Sequence, residues 1–358
     1  MIWGPIALTA ATSALIGASL APAINELCKR RDAAPLPTRI DDGHITTFAE
    51  SFRKRLAPFT AEIQRCAERR TNGVIVFPDC TRGLLIGVGE LPSQIAEDVS
   101  ALVLCGDSNA IPRETELRCD VLAYSDLRSE AAATLRALLI AGDGWLGERC
   151  VVCRWLHCDG TLSVASGSTL YGRASAAREI RLSPLCRFAR LHAPAIRFGD
   201  AETRPVPGRV FPMRSIVDVK LGRLLATGDF HLASGDVLQG HVVASGNVMI
   251  DRGSRILGSV KSHGRSEIGP DTEIHGSMVS SASLHLAGSS FLRGPVLAES
   301  ELYIGPNTII GSPESPTTVS APRVRIAPGC IIHGSVWARY EGRVEATAAS
   351  NQFERAIA

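Results

Sequence analysis

The residues best suited to metal chemistry lie in one short segment of the chain. Cys150 and Cys153 are three residues apart, and His157 and Cys158 follow within five residues. Zinc takes cysteine and histidine ligands when turns bring them together. The apolar residues between the two cysteines instead predict a β-strand, on which residues three apart point to opposite faces. The pattern favours structural thiols, and we predict neither a metal site nor a cofactor.

Other patterns that could support catalysis are short or isolated. Gly106-Asp107-Ser108 is similar to the nucleophile block of the GDSL hydrolases, but no matching Asp-x-x-His follows late in the chain, and these residues commonly form turns. The sequence has no P-loop, no dinucleotide-binding glycine motif, no Gly-x-Ser-x-Gly and no His-Glu-x-x-His. Five histidines fall at polar, outward positions of the repeat described below: His241, His263, His275, His285 and His333. We therefore predict that the protein is not an enzyme.

A repeat of 18 residues organises the chain between Leu221 and Tyr340. Apolar residues alternate with polar ones in three short runs per repeat, and turn residues separate the runs, which is typical of strands. Three strands per repeat predict an all-β, single-stranded β-helix of about 18 residues per coil, with equivalent positions stacked about 4.8 Å apart. The repeated glycines are Gly222, Gly240, Gly258, Gly276 and Gly294. One predicted core ladder comprises Leu232, Ile250, Ile268, Leu286, Ile304 and Ile326.

The repeat also predicts the order of the domains. Apolar residues 18 apart recur over residues 117–198, which we interpret as diverged coils of the same β-helix. Residues 199–215 break the pattern and form either a long loop or a joint between two lobes. The regular β-helix covers residues 216–342, and residues 343–358 form a C-terminal tail or cap. Short apolar runs between turn residues predict a small β preface or cap over residues 71–116.

Residues 1–28 predict a transmembrane anchor. Residues 2–25 carry no charge, and a stretch of this length can span a bilayer. Positive residues only after this stretch predict a single-pass protein of the inner membrane with its C-terminal body in the cytoplasm. The alternative is a signal peptide cleaved after Ala21 or Ala23, although no positive residue precedes the apolar stretch. The predicted anchor residues are Ile6, Leu8, Leu15, Ile16 and Leu20, with Lys29, Arg30 and Arg31 at the inner boundary.

Residues 29–70 predict a basic linker followed by an amphipathic helix. They contain ten Lys and Arg residues against six Asp and Glu residues. The helix could lie on anionic lipid or pack on the end of the β-helix. Pro58 predicts a kink within it. Its apolar stripe recurs at helical spacing and consists of Ile45, Phe48, Phe52, Leu56, Phe59 and Ile63.

Composition narrows the possible partners and compartment. The formal net charge is +2 over 358 residues, so no strong basic field predicts nucleic acid as a partner. The chain is 5% aromatic and contains 33 glycines, which suits a narrow aliphatic core. Its ten cysteines show no disulfide-framework spacing, which favours a reducing compartment.

Two families resemble the repeat. The segment IGPDTEIHGSM at residues 268–278, with looser copies at 304–312 and 326–336, is similar to both the bactofilins and the hexapeptide acyltransferases. The acyltransferases use three equal six-residue units with an aliphatic residue at each. In this chain one aliphatic residue per coil comes two positions earlier, so the unequal coil more closely resembles a bactofilin. The early positions are Val242, Val260, Met278 and Val296.

The bactofilin resemblance implies a right-handed β-helix that polymerises end to end without nucleotide on the inner face of a membrane. We therefore expect a membrane-anchored scaffold in cell shape or envelope organisation. Its expected partners are the lipid bilayer, further copies of itself and other envelope or cell-shape proteins, with no nucleic acid. The alternatives are a trimeric hexapeptide-type acyltransferase and an exported β-helical binding protein.

Overall fold

The computed structural model describes residues 45–89, 91, 95–199 and 216–346. These residues form an all-β solenoid of about 13 turns with about 18 residues per turn, which confirms the predicted repeat architecture. All 29 strands belong to one continuous sheet. The strands form two successive stacks, which we call the first and the second solenoid.

A short helical segment precedes the first solenoid. It comprises α1 (Thr47–Leu56), a 3-10 turn (Ala57–Phe59) and α2 (Thr60–Arg69), and Pro58 lies in the turn where the two helices meet. The strands of the first solenoid follow: β1 Gly73–Val76, β2 Arg82–Ile86, β3 Val99–Leu104, β4 Ser108–Ile111, β5 Glu116–Ala123, β6 Asp126–Ser129, β7 Thr134–Ile140, β8 Gly144–Leu146, β9 Val151–Cys158, β10 Thr161–Val164, β11 Thr169–Ala176, β12 Glu179–Leu182 and β13 Arg187–Phe198.

The second solenoid is built from shorter strands, because turns interrupt each coil more often. They are β14 Ile216–Ala226, β15 Phe230–Leu232, β16 Val237–Ala244, β17 Val248–Ile250, β18 Arg255–Ile256, β19 Val260–Ser262, β20 Ser266–Ile268, β21 Glu273–Ile274, β22 Met278–Ser280, β23 Leu284–Leu286, β24 Phe291–Leu292, β25 Val296–Ala298, β26 Glu301–Ile304, β27 Ile309–Ile310, β28 Thr317–Ile326 and β29 Cys330–Val344.

Parallel stacking brings the core ladder of the second solenoid into one column. Leu232, Ile250 and Ile268 are partners in register on β15, β17 and β20. The column continues through Leu286 and Ile304 and ends at Ile326 on β28. All six side chains are at most 3% exposed. Burying one such side chain stabilises the fold by about 2–3 kcal/mol, so the stack gains with every coil added.

The repeated glycines occupy corners where one coil touches the next. A Cβ on Gly294 would lie 2.5 Å from the backbone C and O of Gly276, and a Cβ on Gly276 would lie 2.6 Å from those of Gly258. Ordinary contact requires at least 3.4 Å. The preceding coil therefore excludes any side chain at these corners, which explains why glycine recurs with the period of the coil.

The two solenoids meet through their last coils. Strand β13 pairs antiparallel with β29 along most of its length, from Arg187 opposite Arg343 to Phe198 opposite Cys330. All other pairs of neighbouring strands within the two stacks are parallel, apart from β1 with β2. The second solenoid therefore begins at its far end and stacks back towards the first. This reversal corresponds to a joint between two lobes, one of the two interpretations of residues 199–215.

The boundaries of the stacks differ from those expected from the sequence. Strands β2, β3 and β4 lie within residues 71–116, the segment assigned to a separate preface. They stack in parallel on β3, β5 and β6 and belong to the first solenoid. At the other limit, β29 continues past residue 342 to Val344, which is fully buried opposite Ile326.

The predicted fold is wrong in placing a transmembrane helix before the solenoid. What precedes the solenoid in the structure is the 23-residue helical segment Thr47–Arg69, which is not apolar. Within the described residues, no helix has the length and apolar character of a membrane span. Residues 1–28, with the predicted anchor residues Ile6 to Arg31, lie outside the described residues.

The helical segment packs on the side of the first solenoid, whereas the sequence suggested lipid or the solenoid end. Phe52, Leu56 and Ile63 are buried in a second apolar cluster together with Val103 and Leu139, outward residues of β3 and β7. The apolar stripe of the helix is therefore covered by the outer face of the sheet.

Candidate functional site

A serine, a histidine and a carboxylate meet where α1 crosses the first solenoid. His157 Nδ1 lies 2.8 Å from Ser175 Oγ, and His157 Nε2 lies 3.1 Å from Asp159 Oδ1. The guanidinium of Arg53 on α1 pairs with the same carboxylate. His157 on β9 and Ser175 on β11 are partners in register, so coil stacking places the hydroxyl beside the imidazole.

This cluster has the residue types of a hydrolase triad but lacks an accessible nucleophile. A nucleophilic serine must reach substrate while its base holds the hydroxyl proton. Ser175 is only 1% exposed and His157 is 7% exposed. Burial lowers the pKa of His157, against the opposing effect of Asp159, so the imidazole is neutral at pH 7. The cluster instead fixes α1 to the solenoid through Arg53.

The cysteine segment is distributed between the core and the surface. Cys150 is fully buried, whereas Cys153 on the same strand is exposed, so their sulfurs do not converge. Cys158 is buried and its thiol donates to the Gly142 carbonyl at 3.0 Å. Burial raises the pKa of Cys158 to about 11, so the sulfur stays protonated. Among the described residues, no group of three or more His, Cys, Asp or Glu side chains could hold a metal ion.

The outward histidines lie on different coils and serve local contacts. His241 Nδ1 accepts the backbone N–H of Ser259 on the next coil at 2.9 Å. His285 stacks on Tyr303, with ring centroids 4.7 Å apart. His333 bonds across the junction of the two solenoids. Their separation along the stack gives them no common site.

The feature that sets one part of the stack apart is the first coil of the second solenoid, which we call the open coil (residues 216–232). Strands β14 and β15 pair with β16 and β17 on one side, and no described strand pairs with them on the other. Three inward residues of this coil are partly exposed, whereas their partners on the next coil are at most 1% exposed. The pairs are Leu224 with Val242, Ala226 with Ala244, and Phe230 with Val248.

A groove beside the open coil extends its apolar surface. The groove has a volume of about 480 Å³ and includes Phe230, Val248 and Met249, and Met249 is 49% exposed. Charged residues, among them Asp229 and Arg265, line its rim. An apolar centre with a polar rim is the usual composition of a protein–protein contact.

The start of the first solenoid is covered, in contrast to the open coil. Strand β1 pairs antiparallel on β2 and ends the parallel stack. Leu91 and Ile95, from the connection between β2 and β3, pack against the core together with Leu84 and Ile86. The chain therefore covers one outer end of the paired solenoids with its own residues.

The open coil was not identified from the sequence, although Leu224 belongs to a recognised apolar register. A signal was present, because Pro212 and Arg214 stand 18 residues before Phe230 and Leu232, where a further coil would need apolar residues. Comparison with protein-family models, with curated proteins and with solved structures finds no match to the chain. The functional argument therefore depends on the geometry.

Proposed function

We propose that this protein is a non-catalytic β-solenoid scaffold, similar in role to a bactofilin, that associates with itself through the open coil. The observation that supports this proposal is the exposure of the inward residues Leu224, Ala226 and Phe230 at one end of the stack. An uncovered solenoid end presents both apolar side chains and unpaired strand edges, which favour association.

The chain itself contains an example of the proposed contact. Its two solenoids are joined by antiparallel pairing of terminal strands, with nine residue pairs between β13 and β29. Two copies of the chain can meet in the same manner, with β14 of one beside β14 of the other. Such a contact is two-fold symmetric and uses the same surface on both copies. Since the other outer end is covered, the expected product is a pair of chains.

The test measures the mass of the full-length protein by light scattering and sedimentation velocity over a range of concentrations. We expect the wild type to form dimers and Leu224→Lys to remain monomeric, because a charge on the contact would lose its water. Leu257→Lys is the matched control, since Leu257 is 43% exposed and lies away from the open coil. Equal melting curves for the two variants exclude misfolding as the cause.

A wild type that stays monomeric at every concentration would refute self-association. Dimers that persist in Leu224→Lys would place the contact elsewhere on the molecule. Masses that grow continuously with concentration, with filaments in electron micrographs, would show that the covered end also opens and would replace the dimer with a polymer.

A further inference from the structure

A groove on the outer face of the first solenoid is unrelated to the open coil. Strands β4, β6, β8, β10 and β12 form this face in parallel register. The groove has a volume of about 460 Å³. We call it the tryptophan groove; its polar and aromatic lining residues are Ser108, Asp126, Arg128, Asp143, Trp145, Thr161, Ser163 and Arg181.

Coil stacking arranges these side chains in two parallel rows. Arg128, Trp145 and Ser163 are partners in register on β6, β8 and β10, and Arg181 on β12 continues the row. A second row runs beside it and contains Asp126, Asp143, Thr161 and Glu179. Because both rows follow the axis of the solenoid, the groove offers similar groups at successive coils to an extended ligand.

Trp145 provides an aromatic surface in the middle of the groove. It is 37% exposed, and the guanidinium carbon of Arg128 lies 4.5 Å from its ring centroid. An exposed aromatic residue alone is ordinary on a protein surface. Here the ring lies in a concave and otherwise polar lining, with the cation of Arg128 held against it by a cation–π contact. That combination suits a ligand with one apolar face and polar edges.

The carboxylates of the groove are held in position by the neighbouring coil. Asp126 Oδ1 accepts the backbone N–H of Asp143 at 2.7 Å, and Asp143 Oδ1 accepts that of Thr161 at 2.7 Å. No described residue bonds the second oxygen, Oδ2, of either carboxylate. Among the described residues, Arg128 also has no carboxylate within ion-pair distance. Fixed acceptors and an available donor therefore flank the ring.

The balance of charge indicates the class of ligand. Arg128 and Arg181 offset Asp126 and Asp143, so the groove carries no net formal charge. A nucleic acid would bring its phosphates close to the two carboxylates, which opposes binding. Hydroxyl groups can donate to carboxylates and accept from guanidinium groups, while the C–H face of a sugar ring can pack on tryptophan.

We propose that the tryptophan groove binds an uncharged saccharide chain that runs along the solenoid axis. A sugar ring stacks on Trp145, and its hydroxyl groups bond Asp126, Asp143 and Arg128. Thr161 and Ser163 contact the next sugar along the chain. The proposal goes beyond the scaffold function and does not depend on it, since the groove and the open coil are on different solenoids.

The test titrates the full-length protein with malto-, cello-, xylo- and chito-hexasaccharides by calorimetry. We expect at least one of these probes to bind, and Trp145→Ala to weaken that binding at least tenfold. Trp337→Ala is the matched control, because Trp337 is 44% exposed and also stacked, with the Arg190 guanidinium carbon 3.9 Å from its ring. The control should bind like the wild type.

Absence of binding for all four probes at millimolar concentration would overturn the proposal, as would equal binding by wild type and Trp145→Ala. A single-stranded oligonucleotide that binds in a Trp145-dependent manner would replace the saccharide with a nucleic acid. Trp145→Phe retains an aromatic face and should recover part of the affinity. Melting curves establish that each variant is folded, so a loss of binding reports on the groove.

Discussion

Replacing Gly276 with alanine tests whether contact between coils sets the glycine period. An ideal Cβ at this position would lie 2.6 Å from the backbone C and O of Gly258 and would also overlap Ser259 Oγ. Ordinary contact begins at 3.4 Å, so the coils must separate locally by about 0.8 Å or distort. The obstructing atoms are mainly backbone atoms, which cannot rotate away as a flexible side chain can.

The expected loss of stability follows from this overlap. Overpacking a tightly packed site costs about 1–3 kcal/mol, and two backbone contacts place Gly276→Ala at the upper end of that range. Alanine also restricts the unfolded chain, which returns about 0.4–1 kcal/mol. We therefore expect a net loss of about 2–3 kcal/mol. If the second solenoid unfolds as a unit, that loss lowers the melting temperature by roughly 5–10 °C.

Gly228→Ala is the control for this measurement. Gly228 also lies in a turn of the second solenoid, but it belongs to the open coil and no heavy atom lies within 4 Å of an added Cβ. We expect the control to melt at the wild-type temperature or slightly above it. Thermal unfolding followed by circular dichroism compares the three proteins. If Gly276→Ala melts with the control, coil contact does not explain the period.

Three further outcomes are expected. Ile268→Ala should lose about 3 kcal/mol in urea unfolding because its site is buried on both sides, whereas Ile309→Ala, at an outward and partly exposed position, should lose about 1 kcal/mol or less. Because burial lowers the pKa of His157, the unfolded chain takes up this proton more readily near pH 6.5. Stability should therefore fall as the pH drops below about 6.5, and His157→Gln should reduce the difference between urea midpoints at about pH 7.5 and about pH 5.5. Iodoacetamide at about pH 8 should label exposed Cys153 and spare Cys330, whose burial raises the thiol pKa to about 12, and peptide mass spectrometry measures both.

The architecture could be predicted from the sequence because each coil repeats the same local problem. Ile250 and Ile268 are 18 residues apart because every coil must place an aliphatic residue above the last. Glycine recurs with them because the corner at Gly276 excludes a side chain. Both constraints are local and periodic, so one chain displays them without any alignment. The insertion after Ile310 extends a turn and leaves the register of the stack intact.

The reversal at the junction could not be predicted in the same way. An apolar ladder is compatible with parallel or antiparallel neighbours, because both arrangements bury the same face of a strand. Leu191 and Ile196 pair across the junction with Val336 and Ile332, which look like ordinary repeat residues. The helical stripe had the same ambiguity, since apolar spacing does not say which surface covers it. Which surfaces meet depends on long-range contacts that the periodic pattern does not contain.

The reversal changes what end-to-end association can produce. A single stack would have two unlike ends, and identical copies could add head to tail without limit. In this chain the last coils of both solenoids cover each other, and β1 with Leu91 and Ile95 covers the start of the first. The open coil at residues 216–232 is then the outer end that no described strand covers. One surface that pairs with its own copy closes after two chains, so the arrangement of strands within the chain favours a dimer over the polymer that the repeat alone suggested.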